Sequence, residues 1–318
     1  MKKQFKNILT IATTLATLTA GTTNIASADD KKEVGIIQFA EHGALDASRE
    51  GFLEALKEAG FGDDKVTIDI QNSQGDQANL QTMVSTMKDK NDVNFAIATP
   101  AAQALINADD KTPSLFAAVA DPVAAGLVEK FEKPNGNMTG ATNAVDIAHK
   151  MEIFTKALPQ AKKVGIFYNS SEVSSESQAK AARKALEAKG IEVVEKTVVS
   201  TNDVEEAMSA LVGQVDAVYF PTDNTVASTI STIGEVLKKA KKPSMGSDTA
   251  VLEGVLLTYG VDYKELGKQT GRQAAKLLNG EKVENLPVEK PEKITIKVNK
   301  EMADAVGLSA ETIEKEAK

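Results

Sequence analysis

Thr99-Pro100-Ala101 follows the apolar run 94–98 and opens a stretch with helical character. A hydroxyl at the cap with proline at the first helical position leaves the amides of the first turn free. Free amides at a helix start hold anions. Pro221-Thr222-Asp223-Asn224 and Ser247-Asp248 also follow apolar runs, but they bring carboxylates. A carboxylate at such a point holds a cation through charge-assisted hydrogen bonds, or it simply caps the next helix. One group therefore suits a carboxylate and the other an ammonium. The question is what fold makes them face each other.

The second third of the chain repeats the first at an offset of 130 residues: Gly35 matches Gly165, Gly60 matches Gly190, and Pro113 matches Pro243. The opening runs Val34-Gly35-Ile36-Ile37 and Val164-Gly165-Ile166-Phe167 read as buried parallel strands, and Gly60 and Gly190 as helix C-termini. Leu80, Met83, Val84 and Met87 form an i, i+3, i+4, i+7 stripe that recurs as Val204, Ala207, Met208 and Leu211. Strands are read at 33–39, 66–70, 94–98 and 114–120, then at 163–168, 192–199, 217–220 and 244–246. Helices lie between them, and another is expected after Asp121. Ser175 and Gln178 have the spacing of a capping box. Alternating strands and helices imply an α/β protein of two doubly wound parallel-sheet lobes, with a cleft between them.

Ligands of open parallel sheets bind beyond the carboxyl ends of the strands. In lobe one this selects Gln38, Phe39 and His42, then Gln74 and Asp76, then Thr99, Pro100 and Ala101, then Asp121. In lobe two it selects Tyr168, Asn169 and Ser170, then Thr222, Asp223 and Asn224, then Ser247 and Asp248. Asp121 precedes a proline and also reads as a turn residue. No G-x-G-x-x-G, phosphate-loop or G-x-S-x-G motif occurs. With no cysteine and only two histidines, thiolate chemistry and a convincing zinc site are excluded, and neither cofactor nor metal is expected. The net charge of −8 disfavours nucleic acid as a partner.

Lys2, Lys3 and Lys6, the uncharged run 8–20 and Ala26-Ser27-Ala28 have the layout of a secretory signal peptide, 1–28. Gly21 stands where a lipoprotein would carry its modified cysteine, so an extracytoplasmic protein without a lipid anchor is expected.

Several motifs occur together. They are Ile97-Ala98-Thr99-Pro100-Ala101-Ala102-Gln103, Phe116-Ala117-Ala118-Val119-Ala120-Asp121-Pro122-Val123, Gly136-Asn137-Met138-Thr139-Gly140, Pro221-Thr222-Asp223-Asn224-Thr225 and Tyr259-Gly260-Val261-Asp262-Tyr263. In combination they resemble the tryptophan/tyrosine-type substrate-binding proteins of bacterial ABC transporters. The resemblance implies a type I periplasmic-binding-protein fold with a three-crossover hinge. Lobe one would comprise 33–143 plus 259–282, and lobe two 144–258 plus 283–318. It also implies a non-enzymatic, monomeric receptor that hands a small ligand, an aromatic or other apolar amino acid, to an ABC permease. Thr99 and the amides near Ala101 would hold the ligand carboxylate, and Asp223 or Asp248 its ammonium. The absence of tryptophan argues against a sugar, whose sites favour large aromatic platforms.

Overall fold

A computed structural model describes residues 31–134 and 136–317; the expected signal peptide lies outside them. Lobe one is built from β1 (Lys32–Gln38), α1 (Gly43–Glu58), β2 (Val66–Asn72), α2 (Gln77–Met87), β3 (Val93–Ile97), α3 (Thr99–Ala108), β4 (Ser114–Val119) and β5 (Met138–Thr142). Lobe two follows with α4 (Ile147–Ala157), β6 (Lys163–Asn169), α5 (Val173–Glu187), β7 (Glu192–Val198), α6 (Val204–Val212) and β8 (Ala217–Phe220). It continues through α7 (Asn224–Ser228), α8 (Ile230–Ala240), β9 (Ser244–Gly246) and β10 (Leu257–Val261). Then come α9 (Tyr263–Leu278), β11 (Ile294–Val298), α10 (Lys300–Val306) and α11 (Ala310–Ala317).

The sheets run β2-β1-β3-β4-β5 and β7-β6-β8-β9-β10-β11, and every pairing is parallel except β10 with β11. The duplication is therefore real in space: β1 and β6 hold equivalent positions, as do β3 and β8. Gly35 lies opposite Asn94 and Gly165 opposite Val218. Each glycine lets a helix lie close on its sheet. A Cβ on Gly35 would press on Met87 and Asn94, and one on Gly165 on Leu211, from the last turn of the matching stripes. Gly60 and Gly190, with φ of +90° and +75°, follow the ends of α1 and α5.

Each lobe has its own apolar core. One includes Ile36, Phe52, Phe95, Phe116 and Leu266, and the other Ile166, Phe154, Tyr219, Phe220 and Leu237. α9 returns to lobe one and packs on α1 so closely that the helices meet through Gly51, Gly267 and Gly271.

The lobe boundaries fall a few residues beyond those expected. Tyr259 is still in the lobe-two sheet, paired with Ile296, and the return to lobe one comes at Asp262. Val283, Leu286 and Val288 belong to the lobe-one core, and Glu289 bridges to Ala141, so the last crossing lies at 290–293. The crossovers are tied together. Asn143 Nδ2 donates to Tyr263 OH at 2.8 Å, and Asp262 N to the Lys293 carbonyl at 3.3 Å.

Three local expectations are corrected. The segment after Asp121 forms turns from Pro122 to Gly126, not a helix. Thr99 is the first residue of α3 and Ala98 its cap, so Pro100 is the second helical residue. α5 begins at Val173 with Glu172 as its cap, which puts Ser175 inside the first turn and removes the capping box.

Candidate ligand-binding site

The carboxyl ends of β1, β3 and β4 face those of β6, β8 and β9. The cavity between them is narrow, about 20 Å³, room for about one water. Lobe one lines it with His42, Ala44, Leu45, Thr99, Ala118, Ala120 and Tyr263. Lobe two contributes Glu172, Ser174, Thr222, Asp223, Asn224, Ala227 and Asp248. A wider mouth adjoins it, bounded by Phe39, Gln74, Pro100, Asn169 and Val199.

Three helices start at this cavity without a side-chain cap: α1 after His42, α3 after Ala98 and α5 after Glu172. Their first-turn amides and dipoles favour negative charge. Gln38 shapes the approach to α1, donating from Nε2 to the Ala40 carbonyl at 2.7 Å and to Asp46 at 2.9 Å. Ala98 has φ +86° where β3 turns into α3, and Ala118 has φ +59° where the β4–β5 register shifts. Such backbone costs energy for a residue with a Cβ, and both instances lie at the site.

Carboxylates dominate the lobe-two wall. Asp223, 4% exposed, accepts from Val226 N at 2.9 Å and Asn169 N at 2.8 Å, so it is a genuine cap of α7. Glu172, 8% exposed, accepts from Asn224 N at 3.1 Å, Thr225 N at 3.3 Å and Asn224 Nδ2 at 2.6 Å. Burial raises both acids above the ordinary carboxylate range, and the Asp223 charge pushes Glu172 up further. Asp248 accepts from Ala250 N at 2.9 Å; burial raises it too, opposed by His42 and Lys150.

The Asn224 amide is oriented by its bond to Glu172, so its Oδ1 faces His42 Nε2 at 3.2 Å. Nε2 is then the protonated nitrogen, and Nδ1 is a buried acceptor without a partner. Burial holds the imidazole below its usual pKa, which favours this neutral form.

The lobes touch through Thr99 Oγ1 and Ser174 Oγ at 2.7 Å, His42 and Asn224, and Ser177 Oγ donating to Asp121 at 3.2 Å. The cleft is closed.

Of the residues selected from sequence, His42, Thr99, Thr222, Asp223, Asn224 and Asp248 line the cavity, and Phe39, Gln74, Pro100 and Asn169 line its mouth. Others lie off it. Asp76 caps α2 through Asn79 N, and Ala101 is buried inside α3. Asp121 holds a turn through Ala124 N at the rim. Tyr168 reaches Glu195, Ser170 N reaches the Val198 carbonyl, and Ser247 bonds to the Phe220 carbonyl. Glu172, Ser174, Ala118 and Ala120 were not foreseen. The first two precede Ser175, the residue read as a helix cap, and only the earlier start of α5 turns them inward. Tyr263 stood in a quoted motif but was not selected as a site residue.

A sequence model described as ABC transporter substrate binding protein matches residues 33–318. A tyrosine-binding protein of Clostridioides difficile is 38% identical over 289 residues, 89% of this chain and 84% of that protein. The crystal structure of an ABC domain in complex with L-Trp from Streptococcus pneumoniae is 35% identical, with a TM-score of 0.85 over 90% of this chain and 98% of that one. A ligand-free, open substrate-binding protein with adhesive properties from Clostridium difficile is 41% identical, yet its TM-score is only 0.68, over 87% and 95%. That structure is open, whereas here the lobes meet across the cleft. Two facing sheets, a hinged cleft and a match along nearly the whole described chain agree: the chain belongs to the ABC transporter substrate-binding proteins.

Proposed function

We propose that this protein captures an α-amino acid with an aromatic side chain in the inter-lobe cleft and delivers it to an ABC permease. The carrying observation is the division of charge in the cavity. Uncapped helix starts with the Thr99 and Ser174 hydroxyls form one part, and buried carboxylates on α5, α7 and the Asp248 loop form the other. A zwitterion matches this division, its ammonium supplying the cation that the ionised carboxylates would need. The C. difficile relative named for tyrosine and the S. pneumoniae domain with L-Trp support the aromatic side chain.

In this reading Thr99, Ser174 and the neighbouring amides hold the ligand carboxylate, while the carboxylates of lobe two hold its ammonium. Phe39, Leu45, Pro100 and Tyr263 offer apolar surface to the side chain. The receptor acts as a monomer outside the cytoplasm, after removal of 1–28, and performs no catalysis. Closure about the three crossovers reports occupancy to the permease.

Calorimetric titration with L-tyrosine, L-tryptophan, tyramine and a des-amino aromatic acid tests this. The two amino acids bind, and either truncated analogue loses at least roughly tenfold in affinity, about 1.4 kcal/mol. Tyramine or the des-amino acid binding as well as the parent amino acid refutes the zwitterion site.

A further inference from the structure

Among the described residues, His42 Nδ1 is the one buried polar side-chain atom of the cavity wall that meets no hydrogen-bond partner. The other such atoms belong to Ser48, Asn94, Asn143, Thr258, Gln273 and Thr295, none of which lines the cavity. A buried acceptor left unpaired is unfavourable and calls for a donor. The protein itself offers none. His42 stands at the cap position of α1 with extended backbone, φ −164° and ψ 161°, yet its side chain does not cap the helix. Its other nitrogen, Nε2, is committed across the cleft to Asn224 Oδ1 at 3.2 Å.

The chain leading to the ring is pinned. The Phe39 carbonyl accepts from Ser73 Oγ and Gly75 N, both at 2.7 Å, and Gln38 holds the Ala40 carbonyl while accepting from Arg49. The facing carboxylates are largely taken up by their own lobe. Glu172 Oε1 accepts from Asn224 N at 3.1 Å and Thr225 N at 3.3 Å, and Oε2 from Asn224 Nδ2 at 2.6 Å and Asn224 N at 3.2 Å. Asp223 accepts once on each oxygen, from Val226 N and Asn169 N. These acids bring charge to the cavity, whereas His42 brings an unused lone pair.

We propose that His42 Nδ1 accepts a hydrogen bond from the ligand ammonium, so that this one group of the ligand bridges the two lobes. The proposal rests on the amino-acid reading and adds to it a neutral acceptor from lobe one. An ammonium has three hydrogens to place and no lone pair, so it can serve His42 and a lobe-two carboxylate together. A ligand carboxylate brought to the same place would set lone pair against lone pair. His42 thereby fixes which end of the zwitterion enters on its side. The Asn224 bond keeps the proton on Nε2 and so keeps Nδ1 an acceptor.

The test titrates L-tryptophan and its des-amino analogue indolepropionic acid against the wild type, H42Q and H42N. A glutamine amide nitrogen reaches the place of Nε2 and keeps the bond to Asn224, but it puts no acceptor at Nδ1. H42Q therefore loses roughly tenfold in affinity for L-tryptophan and less than about threefold for the des-amino acid. An asparagine oxygen reaches the place of Nδ1, so H42N loses the bond to Asn224 and weakens both ligands alike. Unchanged L-tryptophan affinity in H42Q overturns the proposal. So does an equal loss for both ligands, which would assign Nδ1 to the indole N–H or to closure. The chain has only two histidines, His42 and the exposed His149, so imidazole nitrogen NMR reads Nδ1 directly in the wild type. Its resonance moves upfield with L-tryptophan and stays in place with the des-amino acid. If H42Q does not fold, that spectrum decides, and an unmoved Nδ1 overturns the proposal. A wild type that does not bind L-tryptophan rejects the amino-acid reading and this proposal with it; one that binds L-tryptophan with no loss in H42Q rejects this proposal alone.

Discussion

The hydroxyls of Thr99 and Ser174 meet at 2.7 Å from opposite lobes, each in the first turn of a helix that lacks a side-chain cap. One of the two hydroxyls donates to the other, so a ligand carboxylate beside them would accept from the remaining hydroxyl hydrogen and from the free amides of the two helix starts. Closure and carboxylate recognition thus share two side chains. Thr99→Val and Ser174→Ala each lower affinity for L-tryptophan by roughly tenfold, the scale of one hydrogen bond to a charged group. Calorimetry checks this, with tyramine as the control. Having no carboxylate, it should lose nothing further, and an equal loss for tyramine would assign the hydroxyls to closure alone.

Asp223 has two separable roles. As the cap of α7 it accepts from Val226 N, and it also accepts from Asn169 N at the end of β6. Asp223→Ala removes the cap and costs about 1–2 kcal/mol of stability. It also weakens amino-acid binding by about 2–5 kcal/mol if a buried ammonium pairs there. Asp223→Asn keeps an acceptor for one amide, so it should preserve most of the stability while losing the affinity. Denaturation and titration of the two variants together separate the roles; equal affinities for Asn and Asp at this position would remove the charge from the account.

Much of this architecture was legible in the chain because its constraints are local. Gly35 and Gly165 recur because a helix must lie on each strand, and Gly60 and Gly190 because each helix must end with positive φ. Strand ends then point to the cleft, which is how Thr99, Asp223 and Asp248 were found. Glu172 and Ser174 were not, because the start of α5 is set by contacts with α7 and lobe one. No sequence spacing records that Asn224 N would bond to Glu172, 52 residues away. Lys150 was also silent: on a helix with exposed His149 and Glu152, nothing in its neighbours marks it as buried.

The α1–α9 contact makes a prediction about stability alone. Gly267 faces the Ser48 carbonyl and Phe52 N, and both are backbone atoms that cannot swing aside. Gly267→Ala must push the helices apart, an overpacking cost of about 1–3 kcal/mol. Substituting a solvent-facing position such as Gly43, whose Cβ would meet nothing, gives the comparison. Thermal denaturation of the two variants should show a clear drop only for Gly267→Ala. Equal midpoints would mean the two helices can slide without loss.

Glu172 and Asp223 also make binding depend on pH. Burial raises both acids, so the folded, ligand-free protein holds a proton that the unfolded chain has released. The stability this contributes is complete below the ordinary carboxylate range and is lost as pH rises through the raised values. An ammonium placed between them favours the ionised pair, so binding expels that proton. Affinity therefore strengthens as pH rises above the ordinary carboxylate range toward the raised values, by up to roughly tenfold per unit while one proton is released. Glu172→Gln removes the partner whose charge keeps the pair protonated, so the rise should flatten. Calorimetry in buffers of different ionisation enthalpy counts the proton directly. An affinity independent of pH in this interval, with no proton released in any buffer, would place the ammonium elsewhere in the cleft.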